Sequence, residues 1–462
     1  MTAACTTGQY KSPTSQAVQT VRLAELVGGL SYALDLTEGL PPGHATRCCW
    51  IGMHIAKEMQ LPEQQISDLY YTLLLKDAGC SSNAARVFEL YANDDRAIKG
   101  AYARVDNRSF VALAKFVIGH LAPEAPLVEK LRRFALLAVR GEKLQSELVA
   151  ARCQRGSEIA LEMGFSPETA AAIEALGEYW DGCGRPRGLK GADIPMGARI
   201  ALLAQVVEVF WSLGGPQAAL ERAQERSGTW FDPNLVRALQ LAAAKPGFWQ
   251  HLTSRELPTR VARLEPVNRV IVADEDRCDV IARAFARVID AKSPFTFGHS
   301  TRVARYADAI ARQLGMQPKN RRWLRRAALL HDIGKLGISN ALLDKPGKLT
   351  PEEYAKIKEH SRLSGEILCR IPLFREFADI GRSHHERLDG KGYPLGLHGE
   401  QINLETRIVT VADIFDALTA ERPYRGALPV REALAIMAKD RGIALDPECL
   451  DALNAVVPSL NI

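Results

Sequence analysis

Paired cysteines, basic tracts and long apolar runs are all missing from this chain of 462 residues, and each absence removes a class of protein. Its nine cysteines, at 5, 48, 49, 80, 153, 183, 278, 369 and 449, are scattered, odd in number and never spaced as CxxC. That pattern excludes a disulfide framework and a thiolate zinc site, and it fits a reducing cytoplasm. The 59 basic residues exceed the 54 acidic ones by only five and form no block, so nucleic acid is not the expected partner. No run of about 18 apolar residues occurs, and the opening MTAACTTGQYKSPTSQ lacks the basic segment and apolar stretch of a secretory leader. A soluble cytoplasmic protein without membrane insertion is expected.

Alternating strand patterns are scarce as well. Apolar residues recur at helical spacing over 21–36, 46–59, 279–291, 301–314 and 406–418. Proline and glycine cluster between helical segments, as in LPPG (40–43), GRPRG (184–188), KPG (345–347) and GKGYPLG (390–396). The expected fold class is all-α.

What the chain does contain is an internal repeat. GHATR (43–47) faces GHSTR (298–302), and 33 residues then separate both His44 from Asp77 and His299 from Asp332. DGCGRPRGLKG (181–191) matches DGKGYPLGLHG (389–399) at seven of eleven positions, ARI (198–200) and TRI (406–408) follow at equal distance, and FDPNLVRAL (231–239) echoes LDPECLDAL (445–453). Asp77 and Asp181 are 104 residues apart, whereas Asp332 and Asp389 are 57 apart, so the first copy is 47 residues longer, with an insertion expected within about 85–150. Two tandem helical domains are expected, 1–245 and 276–462, joined by a linker over 246–275 where KPGFWQHLTSRELPTR mixes prolines with polar residues.

Six of the ten histidines fall in the second copy, and five of these, His299, His331, His360, His384 and His385, are taken with Asp332 and Asp413 as candidate ligands. Imidazole nitrogen and carboxylate oxygen suit iron, manganese, cobalt or zinc, and an aspartate can bridge two ions. A lone histidine in a helical protein is more often a surface or hydrogen-bonded residue than a ligand. The case for ligation rests on the HisAsp dipeptide followed by GlyLys, on the HisHis pair, and on Asp413 amid the apolar helix IVTVADIFDAL. An unpaired carboxylate on a buried helix face is costly, and a metal removes that cost. The alternative for Asp413 is an ion pair with a cation such as Arg407.

SPFTFGHSTRV (293–303), HDIGK (331–335), EHSRLSGEIL (359–368), HHERLDGKGYP (384–394) and VADIFDALTAERPYR (411–425) occur in that order. Through them the second copy resembles the HD-GYP subfamily of the HD phosphohydrolase superfamily over about residues 276–455. The resemblance implies a five-helix HD core with extra helices and a di- or trinuclear iron or manganese centre. It also implies hydrolysis of a cyclic dinucleotide, usually cyclic di-GMP, to linear pGpG or GMP; cyclic GMP-AMP or another phosphate ester is the alternative substrate. By the same resemblance His299, His331, Asp332 and Asp413 are the basic metal ligands, Asp332 bridging, and His360, His384 and His385 complete the second site. Some members add a glutamate for a third metal where this chain has Phe295, so two divalent ions are expected.

Phosphodiester hydrolysis needs a nucleophile at neutral pH and neutralisation of phosphoryl charge, which two ions ~3.5–4 Å apart supply. Lys335, beside the catalytic candidate Asp332, resembles the family lysine that contacts substrate phosphate, and Arg422 and Arg425 resemble further phosphate contacts. Gly392, Tyr393 and Pro394 are first of all turn chemistry. The resemblance adds a contact surface near the site that also docks diguanylate cyclase (GGDEF) domains.

The first copy keeps His44 and Asp77 but carries Lys76 at the place of His331, Arg152 at His360, Leu176 and Gly177 at His384 and His385, Gln205 at Asp413 and Arg185 at Tyr393. Two ligands of seven cannot hold a dinuclear centre. A metal-free, inactive domain with a structural or regulatory role is expected there. A reading of another class, a non-catalytic scaffold that binds cyclic nucleotide or a cyclase, calls for lost ligands, and the second copy has lost none.

Overall fold

The structure, a computed structural model, describes residues 21–106, 109–123, 125–421 and 426–460. It divides into two compact units, one of residues 22–272 with 339–341, the other built on 273–338 and 342–462. The only strands among the described residues are two of two residues each, Val21–Arg22 and Val272–Ala273. All other regular structure is helical, as the apolar spacing requires.

In the first unit the helices Leu23–Thr37, His44–Glu58 and Glu63–Leu75 bury Leu26, Leu30, Ile51, Ile55 and Leu73 without exposure. The second and third of them pack with the helical segment Met196–Glu225, and the first packs on those two. That segment is long and apolar enough by composition to cross a membrane. It breaks, however, at Gly215 (φ 73°) ahead of Pro216, and its Ile200, Leu203 and Val207 are fully buried in this unit, so it serves as a core helix.

The stretch expected as a linker is folded. Phe248, Leu252, Leu257 and Val261 are buried, Trp50 Nε1 donates to the Phe248 carbonyl at 3.0 Å, and Tyr71 Oη donates to Glu265 at 2.5 Å. Its prolines mark changes of direction, and its four apolar anchors tie 246–272 into the first unit.

The second unit contains Glu275–Asp290, His299–Gln313, Pro318–Leu330, Pro351–Cys369, Leu404–Thr419 and Pro447–Val456. Side-chain caps start several of these helices. Asp274, Asn403 and Asp446 accept from first-turn amides, and Thr350 with Glu353 forms a capping box around Pro351. The helix beginning at His299 lacks such a cap and starts two residues before the apolar spacing indicates. Its entry is Gly298 at φ 71°, a backbone region that favours glycine. Buried Asp290 then accepts from the Ser300 amide and, at 2.6 Å, from its hydroxyl. The first unit repeats the arrangement, with Gly43 at φ 87° and Asp35 accepting from Gly43 N and Ala45 N at 2.7 and 2.9 Å. A core of Val303, Ile310, Leu324, Leu330, Ile408 and Phe415, none of them exposed, fixes the helices from which the candidate ligands project.

Candidate metal centre

The seven predicted ligands come from five places in the second unit. His299 opens its helix, His331 and Asp332 follow the end of Pro318–Leu330, His360 lies within Pro351–Cys369, His384 and His385 follow Ala378–Ser383, and Asp413 lies within Leu404–Thr419. Gly334 makes the convergence possible: a Cβ there would lie 2.0 Å from the His360 carbonyl oxygen, so only glycine lets this turn press against the His360 helix.

Asp332 lies at the centre and its two oxygens divide the others. Oδ2 is 3.3 Å from both His299 Nε2 and His331 Nε2. Oδ1 is 3.3 Å from His360 Nε2 and 3.6 Å from His384 Nε2. Asp413 Oδ1 faces His299 and His331 at 3.3 and 3.9 Å, while its Oδ2 is 3.9 Å from His385 Nδ1. The alternative partner for Asp413 is engaged elsewhere, since Arg407 binds Asp446 at 3.0 Å and the Ile402 carbonyl at 2.7 Å.

The imidazoles are oriented from behind. His331, His360 and His384 direct Nδ1 at the carbonyls of Ala328, Ile357 and Gly381, at 2.7, 2.7 and 3.0 Å. A carbonyl only accepts, so each Nδ1 holds a proton and Nε2 is the atom each ring offers inward. Burial, aided by neighbouring His331 and His360 against the pull of Asp332, lowers His384 to about 4, and burial together with His384 and His360 holds His385 well below its ordinary value. Both are neutral donors at pH 7. For His299, burial is outweighed by Asp332 and Asp416, which raise it to about 9; the carboxylates demand positive charge on this ring, and a proton or a metal meets that demand. His299 Nε2, His331 Nε2 and Asp332 Oδ1 are buried and make no hydrogen bond. Lone pairs and carboxylate oxygens facing one another at 3.3–3.9 Å repel unless cations lie between them, so the donor set fits divalent metal.

Lys335 Nζ pairs with Asp332 Oδ2 at the edge of the cluster. Arg422 and Arg425 lie outside the described residues. Phe295 sits in the turn Pro294–Thr296 and offers no ligand atom. In the motif loop Gly390 takes φ 72°, whereas Gly392 is required by proximity, a Cβ there falling 2.4 Å from Glu386 Cα. Buried Glu386 accepts from Leu395 N and Leu397 N at 2.6 and 3.0 Å, and Tyr393 N donates to the His385 carbonyl at 3.2 Å. The loop is thereby fastened to the HisHis pair.

Sequence reasoning missed Asp416. It accepts His299 Nδ1 at 2.7 Å and Arg302 Nε at 2.6 Å. The repeat held the signal, because Arg47 and Glu208 stand at the positions of Arg302 and Asp416, and both Arg47, at 2.5 Å, and His44 bind Glu208. Carboxylates behind ligand histidines orient them and raise their basicity. Asp416→Ala is expected to weaken metal binding about 10–100-fold in competition with a chromogenic chelator; unchanged affinity would show that His299 is oriented without it.

The first copy has the same frame with other contents. A Cβ on Gly79 would lie 1.9 Å from the Arg152 carbonyl, which sets Arg152 in the place of His360. Lys76 Nζ pairs with Asp77 and lies 3.1 Å from His44 Nε2. Burial works against its charge, yet Asp77 holds the ammonium above its ordinary value. His44, Cys48 and Glu208 place ligand-type atoms together, but Arg47 and Lys76 already supply the positive charge there. Arg185, in the place of Tyr393, binds Gln145 at 2.5 Å and Glu142 at 3.1 Å.

The family described as "HD domain" matches residues 134–235 and 283–449. Over 439 residues, 95% of each chain, the protein is 47% identical to the 3′3′-cGAMP-specific phosphodiesterase 3 of Vibrio cholerae. It is 40% identical over 206 residues, 44% of this chain and 53% of the relative, to the cyclic di-GMP phosphodiesterase response regulator RpfG of Xanthomonas campestris. A crystal structure of a cyclic GMP-AMP-specific phosphodiesterase from Vibrio cholerae, V-cGAP3, superposes with a TM-score of 0.67 at 43% identity, covering 96% of this chain and 99% of that one. The chain belongs to the HD domain family and, within it, to the HD-GYP type of metal-dependent phosphodiesterase. Divalent-metal binding follows from that membership.

Proposed function

We propose that the second unit hydrolyses a cyclic dinucleotide to its linear form at a dinuclear iron or manganese centre, taking 3′3′-cyclic GMP-AMP in preference to cyclic di-GMP. The observation that carries the dinuclear reading is the division of ligands by Asp332, with His299 and His331 on Oδ2 and His360 and His384 on Oδ1. Asp413 completes the first set and His385 the second. Two ions held there supply activation of water at neutral pH and neutralisation of charge on the phosphoryl oxygens.

The protein's own groups do the rest. Backbone carbonyls and Asp416 keep the imidazoles aimed inward. Lys335, only partly exposed, holds Asp332 ionised and places an ammonium where a substrate phosphate meets the cluster. The first unit, with Lys76 and Arg152 inside its frame, has no catalytic role in this reading.

The substrate order reverses the one the sequence motifs imply. It rests on the relative that matches 95% of the chain and is named for cyclic GMP-AMP, whereas the relative named for cyclic di-GMP aligns to 44%. The test is kcat/KM for both compounds with the full chain purified without oxygen. A ratio at least tenfold in favour of 3′3′-cyclic GMP-AMP is expected, and a ratio below one overturns the assignment.

A further inference from the structure

A half-exposed aromatic residue lies outside the seven-ligand cluster but is joined to it ring by ring. His385 lies 5.1 Å from His360 by ring centroids and 4.8 Å from Tyr393, and Tyr393 lies 6.3 Å from Tyr354 at an interplanar angle of 80°. Tyr354 leaves 46% of its surface to solvent. Lys358, one helical turn further on, holds Nζ 5.1 Å from the Tyr354 centroid and 5.5 Å from that of Tyr393. An aromatic face open to solvent, an ammonium poised over two rings, and a direct line of rings to candidate metal ligands form a surface to which metal ligation assigns nothing.

We propose that Tyr354, Lys358 and Tyr393 form a ledge that holds one purine base of the cyclic dinucleotide beside the metal centre. The inference rests on the phosphodiesterase reading and adds the part of the substrate that metals do not read. Metals bind phosphate, which all cyclic dinucleotides share. A purine in an unpaired nucleotide offers a π face for stacking on Tyr354 and an acceptor edge at N7, or N7 and O6, for an ammonium. Lys358 has three donors and no acceptor, so it suits that edge. Tyr393, partly buried between Tyr354 and His385, sets the depth of the ledge relative to the centre.

The test uses the full-length, metal-loaded protein with Tyr354→Ala, Tyr354→Phe and Lys358→Met. KM and kcat are measured on 3′3′-cyclic GMP-AMP and cyclic di-GMP, with Tm as a check on folding. Tyr354→Ala is expected to raise KM about 5- to 150-fold, the range that base–aromatic stacking supports, with kcat and Tm little changed. Tyr354→Phe keeps the ring and should restore the wild-type KM, and Lys358→Met should raise KM severalfold. Should Tyr354→Ala not fold, Tyr354→Leu, which retains bulk without a π face, is read in its place. An unmoved KM, or a Phe variant as impaired as the Ala variant, overturns the ledge while leaving the phosphodiesterase intact. Wild-type protein that turns over neither compound overturns the phosphodiesterase reading and the ledge with it.

Discussion

Asp332→Ala is expected to lower kcat/KM for a cyclic dinucleotide by about 10³-fold or more, because it removes the central carboxylate whose two oxygens face the two halves of the candidate cluster. Burial opposes its charge, yet Lys335 and then His331 hold the carboxyl well below the ordinary carboxylate range, so it is ionised at every working pH. Its loss takes an oxygen from each ligand set and leaves Lys335 without the partner it has here. The comparison that isolates the effect is Glu359→Gln, an exposed position next to candidate ligand His360 on the same helix whose partner is Arg362, which should keep most of the activity. Asp332→Ala protein with more than a tenth of wild-type kcat/KM would show that Asp332 is not shared.

The second large effect concerns stability, in the first unit. Lys76 and Asp77 are 2% and 4% exposed and pair inside a frame that also holds His44 and Arg152. Breaking a buried pair by removing one partner costs about 3–5 kcal/mol, since the remaining charge is left without compensation. Lys76→Met should therefore destabilise the first unit by about that amount in urea unfolding. Lys76→Met combined with Asp77→Leu, which removes both charges, should recover much of the loss. A single variant within about 0.5 kcal/mol of wild type would mean that His44 and Arg152 already neutralise Asp77 and that Lys76 is not the internal cation.

The candidate ligands, which the fold brings together, were legible in the sequence because several of them break its pattern. Asp413 sits where the helix 404–419 otherwise buries Val409, Val411, Ala412 and Phe415, HisAsp follows the apolar run 327–330, and HisHis stands out as a pair. The repeat made the contrast sharper, since Lys76 and Arg152 mark where the first copy departs from a frame that Gly79 and Gly334 share. Supporting residues were harder to see. Asp416 lies in the same apolar helix as Asp413 and was overlooked beside it, whereas Asp290 and Glu386 stand next to turn residues, where an acid reads as solvated until the fold buries it. Tyr354 and Tyr393 are 39 residues apart, and neither helical spacing nor turn chemistry links them. The packing of 246–272, within the expected linker 246–275, was hard to see because prolines and polar residues dominate its composition, while four scattered apolar anchors decide it.

Metal content of the full chain purified without oxygen tests the central claim most directly. Elemental analysis should give two iron or manganese ions per chain in the wild type. His44→Ala, in the first copy, should retain both, and His331→Ala, in the second, should lose at least one. No bound metal in the wild type, or metal lost with His44→Ala and kept with His331→Ala, would contradict a dinuclear centre in the second copy.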